Sequence, residues 1–236
     1  MSDQEKRNSP AADVAHGHTT FHQKLDALKA GLVTLSQMAE ALLARSLDTL
    51  RTGDVAAAER VITDDQAIDR LEMQLEADAI ALLALQQPMA RDLRFIISAI
   101  KVTSDLERVG DHAVNIASSM LRMRRLDRQL PLPPIIEEMG RSSRSMLNDA
   151  LDALVRMDGA AGRAVCRRDD AVDALHDALF RSLLTHMMEQ PRMISPALEL
   201  LLIGRNLERV ADLATNVAED AVYLAEGVSI KHHSAT

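Results

Sequence analysis

The chain lacks most of what marks a secreted, membrane-spanning or base-stacking protein. It has one cysteine, Cys166, in 236 residues. No intramolecular disulfide can form, and with no signal-peptide pattern at the N-terminus a cytoplasmic protein is expected. Tryptophan is absent and aromatics make up 2% of the residues, which leaves little to stack on unpaired bases. A formal net charge of −8 disfavours a phosphate backbone, so no nucleic-acid partner is expected. Apolar runs such as Ala79 to Leu85 and Leu200 to Ile203 fall far short of the ~18 residues that span a bilayer. Direct membrane insertion is therefore not expected, and any recruitment to the inner membrane face would go through partners. There is no Gly-rich phosphate loop, no Ser-His-Asp arrangement and no evident nucleophile, so no catalytic role is assigned.

What is abundant is helix-forming material. Hydrophobic residues are 47% of the chain, mostly Leu, Ala and Met, which favour helix over strand. Residues 1–19 and 228–236 are polar and aperiodic and read as disordered tails. Thr20 and Gln23 have capping-box spacing for a first helix that stops before Gly53. Asp54 can cap a second helix reaching about Gln86, where Gln87-Pro88 breaks it. A third runs from about Arg91 to Met123, and its basic end suits the negative pole of the helix dipole. Residues 126–134, with three prolines, form a linker. The plan then repeats: a helix from about Ile135 to Met157, a turn at Asp158-Gly159, one helix to about Glu189, and a break at Gln190-Pro191. A last helix is capped by Ser195 and ended by Gly227. Short connections imply antiparallel neighbours. The fold class expected is all-α: two tandem, pseudo-symmetric three-helix bundles of long antiparallel helices, spanning 20–125 and 135–227.

The strongest evidence for duplication is that Leu106-Glu107-Arg108-Val109-Gly110-Asp111 returns as Leu207-Glu208-Arg209-Val210-Ala211-Asp212, 101 residues later. Residues four apart share a helix face. With Leu106 at the centre of the apolar stripe, Glu107 and Asp111 fall at about 100° and 140°, on its rim, whereas Arg108 at about 200° and His112 at about 240° point elsewhere. Helix two carries its own acid pair, Asp65 and Asp69, and Asp69 and Glu107 lie equally far from Pro88, as do Asp65 and Asp111. Folding the hairpin at Pro88 sets the pairs face to face. Asp169 and Asp173 mirror Asp212 and Glu208 about the Gln190-Pro191 bond in the same way. Four converging carboxylates repel one another, so a cation should offset them. The expected ions are iron, manganese or zinc, with magnesium as an alternative, and such a site can hold more than one ion. Glu72 extends the first stripe, His176 stands at its place in the second half, and Glu219 adds a further carboxylate there. On this reading Asp212→Asn leaves the metal-free protein as stable or more so. The alternatives left open are a ferritin-like di-metal carboxylate oxidase, although the chain has no Glu-x-x-His, and a metal-free helical scaffold.

Arg91-Asp92-Leu93-Arg94, the segment from Asp105 to Ala117, and its return from Asn206 through Leu224 resemble the PhoU family of phosphate-signalling proteins over about Phe21 to Gly227. The resemblance implies two three-helix bundles, commonly dimeric, in a cytoplasmic, non-enzymatic accessory of phosphate transport. Such proteins repress the phosphate-starvation response by contacting the transporter's ATPase subunit and the membrane sensor histidine kinase. It also implies multinuclear metal sites on Asp65, Asp69, Glu107, Asp111, Asp169, Asp173, Glu208 and Asp212. Two positions depart from the pattern: Leu213 stands where a His is usual, and Asn206 stands where the first copy has Asp105.

Overall fold

The computed structural model describes residues 10–85, 88–128 and 130–230. Among them are seven α-helices, one 3-10 turn and no strand. They are α1 (Pro10–Thr52), α2 (Val55–Leu85), α3 (Ala90–Arg124), α4 (Pro134–Arg156), α5 (Gly159–Cys166), α6 (Asp169–Glu189) and α7 (Ile194–Glu226), with the turn at Pro191–Met193. Six of the helices are long and α5 is short. The expected punctuation is there: Asp54 Oδ1 accepts from the Ala57 N–H at 2.9 Å, Asp158 Oδ1 from that of Ala161 at 3.0 Å, and Gly227 ends α7 at φ 72°.

Three local expectations need correction. The first helix starts at Pro10, ten residues before Thr20. Proline suits a first helical position and Ala11, Ala12 and Ala15 propagate a helix well, so the polar composition of this stretch misled. Residues 1–9 and 231–236 of the supposed tails lie outside the described residues. Second, the fifth expected helix is interrupted at Arg167–Arg168, where the Arg168 N–H bonds three residues back to the Val165 carbonyl. The Arg168 side chain turns there to Asp149 and Ser145 on α4. Third, Ser195 lies inside α7, which starts at Ile194 without a side-chain cap, because the 3-10 turn at Pro191 already bends the chain.

α7 is the hub. It packs on α3, α4, α5 and α6, while α1, α2 and α3 form the other three-helix group. The two halves meet along α3 and α7, which run antiparallel. Ser98 pairs with Asp220, His112 with Asn206, and Arg122 with Glu199. Leu35, Leu42, Ile68, Leu106, Ile116, Met139, Leu200 and Leu207 are buried in one continuous core.

The pseudo-symmetry extends to ion pairs, with reversed charge. Arg45 on α1 bonds Asp64 on α2; 104 residues later, Asp149 on α4 bonds Arg168 at the start of α6. Where the halves touch, Glu40 meets Arg144, again 104 positions apart, at 3.1 Å. These pairs are half exposed, worth about 0.2 to 1 kcal/mol each, and they fix register more than stability.

Gly162 on α5 lies directly against the backbone of α7. A Cβ there would lie 2.7 Å from the Ala218 carbonyl oxygen of α7, a backbone atom that cannot swing aside. Gly162→Ala should destabilise the protein by about 1 to 3 kcal/mol despite its better helix propensity. Urea unfolding of the two proteins measures it, and an unchanged midpoint would contradict this close packing.

Candidate metal centre

The acids lie where the hairpin arithmetic places them. Asp65 and Asp69 are on α2 opposite Glu107 and Asp111 on α3; Asp169 and Asp173 are on α6 opposite Glu208 and Asp212 on α7. Electrostatics shows the convergence. Burial pushes the Asp65 carboxyl up to about 6, helped by Asp69 and Asp111. Burial pushes Asp169 to about 6 as well, with Asp212 and Asp173 adding to it. Glu107, Asp173 and Glu208 are raised for the same two reasons, burial first and neighbouring carboxylates second. Glu72 is raised by burial, then by Glu76 and Asp69.

The halves differ in how tightly the acids gather. Among the described residues, the group whose ligand atoms all lie within 4.8 Å of one another is Asp173, Glu208 and Asp212. The arginine of each motif is also paired differently in the two halves. In the first half Arg108 pairs with Asp105 at 3.5 Å. Asn206 stands at the equivalent place in the second half and offers no charge, so Arg209 turns to its own motif. It lies 2.9 Å from Asp212 and 3.7 Å from Glu208. His176 adds positive character beside Asp173 and Glu208. Arg209, the counterpart of Arg108, therefore reaches the acids of its own motif, although helix geometry sets Arg108 away from the first acid pair. Asp212→Asn would exchange relieved repulsion for a lost ion pair, which corrects the stability expectation for that variant.

Asn206 is also held firmly. Its Nδ2 donates to the Leu202 carbonyl at 2.7 Å, which turns its Oδ1 toward His112 Nδ1 at 2.8 Å. His112 must then donate from Nδ1. Burial lowers its pKa, so the ring favours the neutral form. This imidazole serves the α3–α7 seam. Glu219 is placed near Cys166, whose thiol is pushed up to about 11 by burial, then by Glu219. The cysteine is protonated and unreactive at neutral pH.

A cavity of about 300 Å³ opens beside the second cluster, lined by Arg108, Asp169, Arg209, Asp212, Leu213, Thr215 and Asn216. Sequence reasoning did not find the two arginines and Thr215; Asn206 at the Asp105 position was the available signal. Asp65 Oδ1 and Asp169 Oδ1, equivalent atoms in the two halves, are buried without a hydrogen-bond partner. The Thr215 hydroxyl lies beside Asp169, near enough to favour its charged form but out of hydrogen-bond geometry. Orphaned carboxylate oxygens at the same place in both repeats fit a hard or borderline cation. Gly110 makes room for the first: a Cβ there would lie 2.5 Å from Asp65 Oδ1.

The raised carboxyls set a pH dependence. A folded pKa of about 6 against an ordinary 3.8 means that the folded protein binds the proton more tightly than the unfolded chain. Stability from these two groups is greatest near pH 4 and falls as pH rises through 6. With chelator present, the double variant Asp65→Asn/Asp169→Asn should melt above wild type at pH 7, and the gap should close toward pH 4. Calorimetry across that range tests the sign; a gap that widens on acidification would refute it.

Comparison with known proteins now adds to this geometry. The family model "PhoU domain" matches residues 32–120 and 136–221. A protein of Rhizobium meliloti described as "Phosphate-specific transport system accessory protein PhoU homolog" is 36% identical over 213 residues, covering 90% of each chain. A Caulobacter vibrioides protein with the same description is 37% identical over 204 residues, 86% of this chain and 89% of that one. The crystal structure of PhoU from Pseudomonas aeruginosa superposes with a TM-score of 0.85 at 32% identity, covering 88% of this chain and 100% of that one. The phosphate transport system regulatory protein PhoU of Streptococcus pneumoniae gives 0.83 at 32% identity, over 89% and 99%. Matched in both of its repeats and along nearly all of its length, the chain belongs to the PhoU family.

Proposed function

We propose that the protein is a non-enzymatic regulator of phosphate uptake and of phosphate-starvation signalling. It acts in the cytoplasm and at the inner membrane face, by contact with the ATPase subunit of the phosphate transporter and with the phosphate-sensing histidine kinase. The observation that carries this is the doubled acidic hairpin in a chain whose relatives are described as accessory to the phosphate-specific transport system. No helix among the described residues is long and apolar enough to cross a membrane, which agrees with recruitment through partners. The working domain boundaries are 20–125 and 135–227.

Cations would be held by Asp169, Asp173, Glu208 and Asp212, with His176 alongside, and by Asp65, Asp69, Glu107, Asp111 and Glu72 in the first half. Iron, manganese and zinc suit a carboxylate set with one imidazole nearby, and magnesium suits the all-oxygen first half. When bound, such an ion supplies the positive charge that the carboxylates lack and cross-links each hairpin. The chain's own part is to hold the acids convergent against their repulsion, which Arg209 limits in the second half. A ferritin-like oxidase fits less well, because the acids are divided between two hairpins and do not meet in one four-helix core. Glu219, set beside Cys166, is the weakest candidate ligand.

Two experiments test this reading. Deleting the gene should switch on phosphate-starvation genes in ample phosphate; normal repression without a second copy in the genome would overturn the regulatory assignment. Separately, free metal at 100 times its dissociation constant should stabilise the chelator-treated protein by about 2.7 kcal/mol. Asp173→Asn should lose most of that gain while melting no lower than wild type in chelator. Identical melting of wild type with and without iron, manganese, zinc and magnesium would leave the acidic faces merely solvated.

A further inference from the structure

The cavity beside the second acidic cluster has a basic wall that cation binding leaves unused. Arg108 reaches it from α3 in the first repeat and Arg209 from α7 in the second. They are equivalent residues, 101 positions apart. The Ser98–Asp220 and His112–Asn206 pairs set the antiparallel register of α3 and α7. In that register Arg108 is level with Val210 and Arg209 with Val109, so the two arginines flank the pseudo-two-fold axis. Two guanidiniums brought to one cavity from separate repeats repel each other as the carboxylates do, and an anion between them is attracted to both.

Both side chains are half exposed, and their ion pairs use only part of what they offer. Arg108 meets Asp105 at 3.5 Å and Arg209 meets Asp212 at 2.9 Å, whereas a guanidinium has five N–H donors in a fork that matches phosphate oxygens. Thr215 is the third donor. Its hydroxyl oxygen is buried at the cavity without a hydrogen-bond partner, an arrangement that costs stability until a ligand satisfies it. The first repeat is an internal control: Val114 stands at the equivalent place, β-branched like threonine, so the fold does not call for the hydroxyl. The 300 Å³ of the cavity equals the share of about ten waters in the liquid, which leaves room for a tetrahedral oxyanion. The facing wall is Asp169 and Asp212, so the cavity is basic on one side and acidic on the other.

We propose that this cavity binds inorganic phosphate, held by Arg108, Arg209 and Thr215, once a divalent cation neutralises the facing carboxylates. The proposal rests on the cation reading of the acidic cluster: while Asp169 and Asp212 are charged and unneutralised, a phosphate dianion meets repulsion from one wall that offsets the attraction of the other. Phosphate has four oxygens, and the site offers four kinds of partner: two guanidinium forks, one hydroxyl and the cation. A phosphate ester surrenders one oxygen to its substituent, so the free ion is favoured over a phosphorylated side chain. Because the two ligands are coupled, phosphate tightens the cation by the same factor by which the cation tightens phosphate. With one arginine drawn from each repeat, a single bound ion ties the two halves together across the α3–α7 seam.

Isothermal titration calorimetry on the full chain tests it, with manganese or magnesium and inorganic phosphate as the probes. Metal-loaded wild type should bind phosphate at least ~10-fold more tightly than chelator-treated protein, and phosphate should tighten the metal equally. Arg108→Gln, whose side chain pairs with Asp105 and not with the acidic cluster, should hold the metal at least as tightly as wild type while losing at least ~10-fold in phosphate affinity. Thr215→Val copies the residue of the first repeat, so it should fold normally and lose roughly 3- to 10-fold. Arg45→Gln, which removes a guanidinium paired with Asp64 away from the cavity, should change neither affinity. Methyl phosphate should bind more weakly than the free ion. If neither metal binds to wild type, the proposal falls together with the cation reading. If metal binds but does not tighten phosphate, if Arg108→Gln and Thr215→Val bind phosphate as wild type does, or if methyl phosphate matches the free ion, this proposal alone is overturned.

Discussion

Carboxylates facing carboxylates across an antiparallel helix pair is the constraint on which the rest of this structure depends. Each hairpin is closed by burying apolar residues such as Val61 and Ile68, or Val172 and Leu179, on one side, and that closure forces the acids on the neighbouring side together. Hydrophobic burial wins because it is cooperative along the whole helix, whereas repulsion acts at two turns and is blunted by solvent and by proton uptake. The result is a pair of carboxyls, Asp65 and Asp169, held near a pKa of about 6 with an unpartnered oxygen each.

The two repeats resolve that repulsion differently. In the first, Arg108 pairs with Asp105. In the second, Asn206 takes the place of the acid and bonds to His112, which turns Arg209 toward Asp212. One Asp-to-Asn difference at the α3–α7 seam thus accompanies a different charge balance in the cluster that begins two residues further along α7. The charge-reversed pairs Arg45–Asp64 and Asp149–Arg168 show the same freedom: geometry is kept, and the sign of each partner varies provided that both change.

Much of the function-bearing geometry could be read from residue spacing. The offset of 101 between the acid motifs, and the mirrored distances from Pro88 and from the Gln190-Pro191 bond, place the carboxylates on facing helices because an antiparallel hairpin maps sequence distance from its turn onto height along the bundle. The start of α1 at Pro10 was missed because a polar composition hid good helix formers. The break at Arg167–Arg168, where Arg168 turns to Asp149 on α4, has no counterpart in the apolar periodicity of the segment.

By itself the sequence determined the helical class, the duplication, and which acids share a rung. These follow from local rules, 3.6 residues per turn and antiparallel folding at proline breaks, that need no knowledge of distant partners. The tertiary structure alone decided how α3 and α7 pack across the halves, and with that which way Arg209 turns, why His112 serves the seam, and which apolar residues of α6 and α7 remain uncovered. Each of those outcomes depends on a contact between residues far apart in the chain, and a side chain's direction is set by the neighbours that fill the space around it.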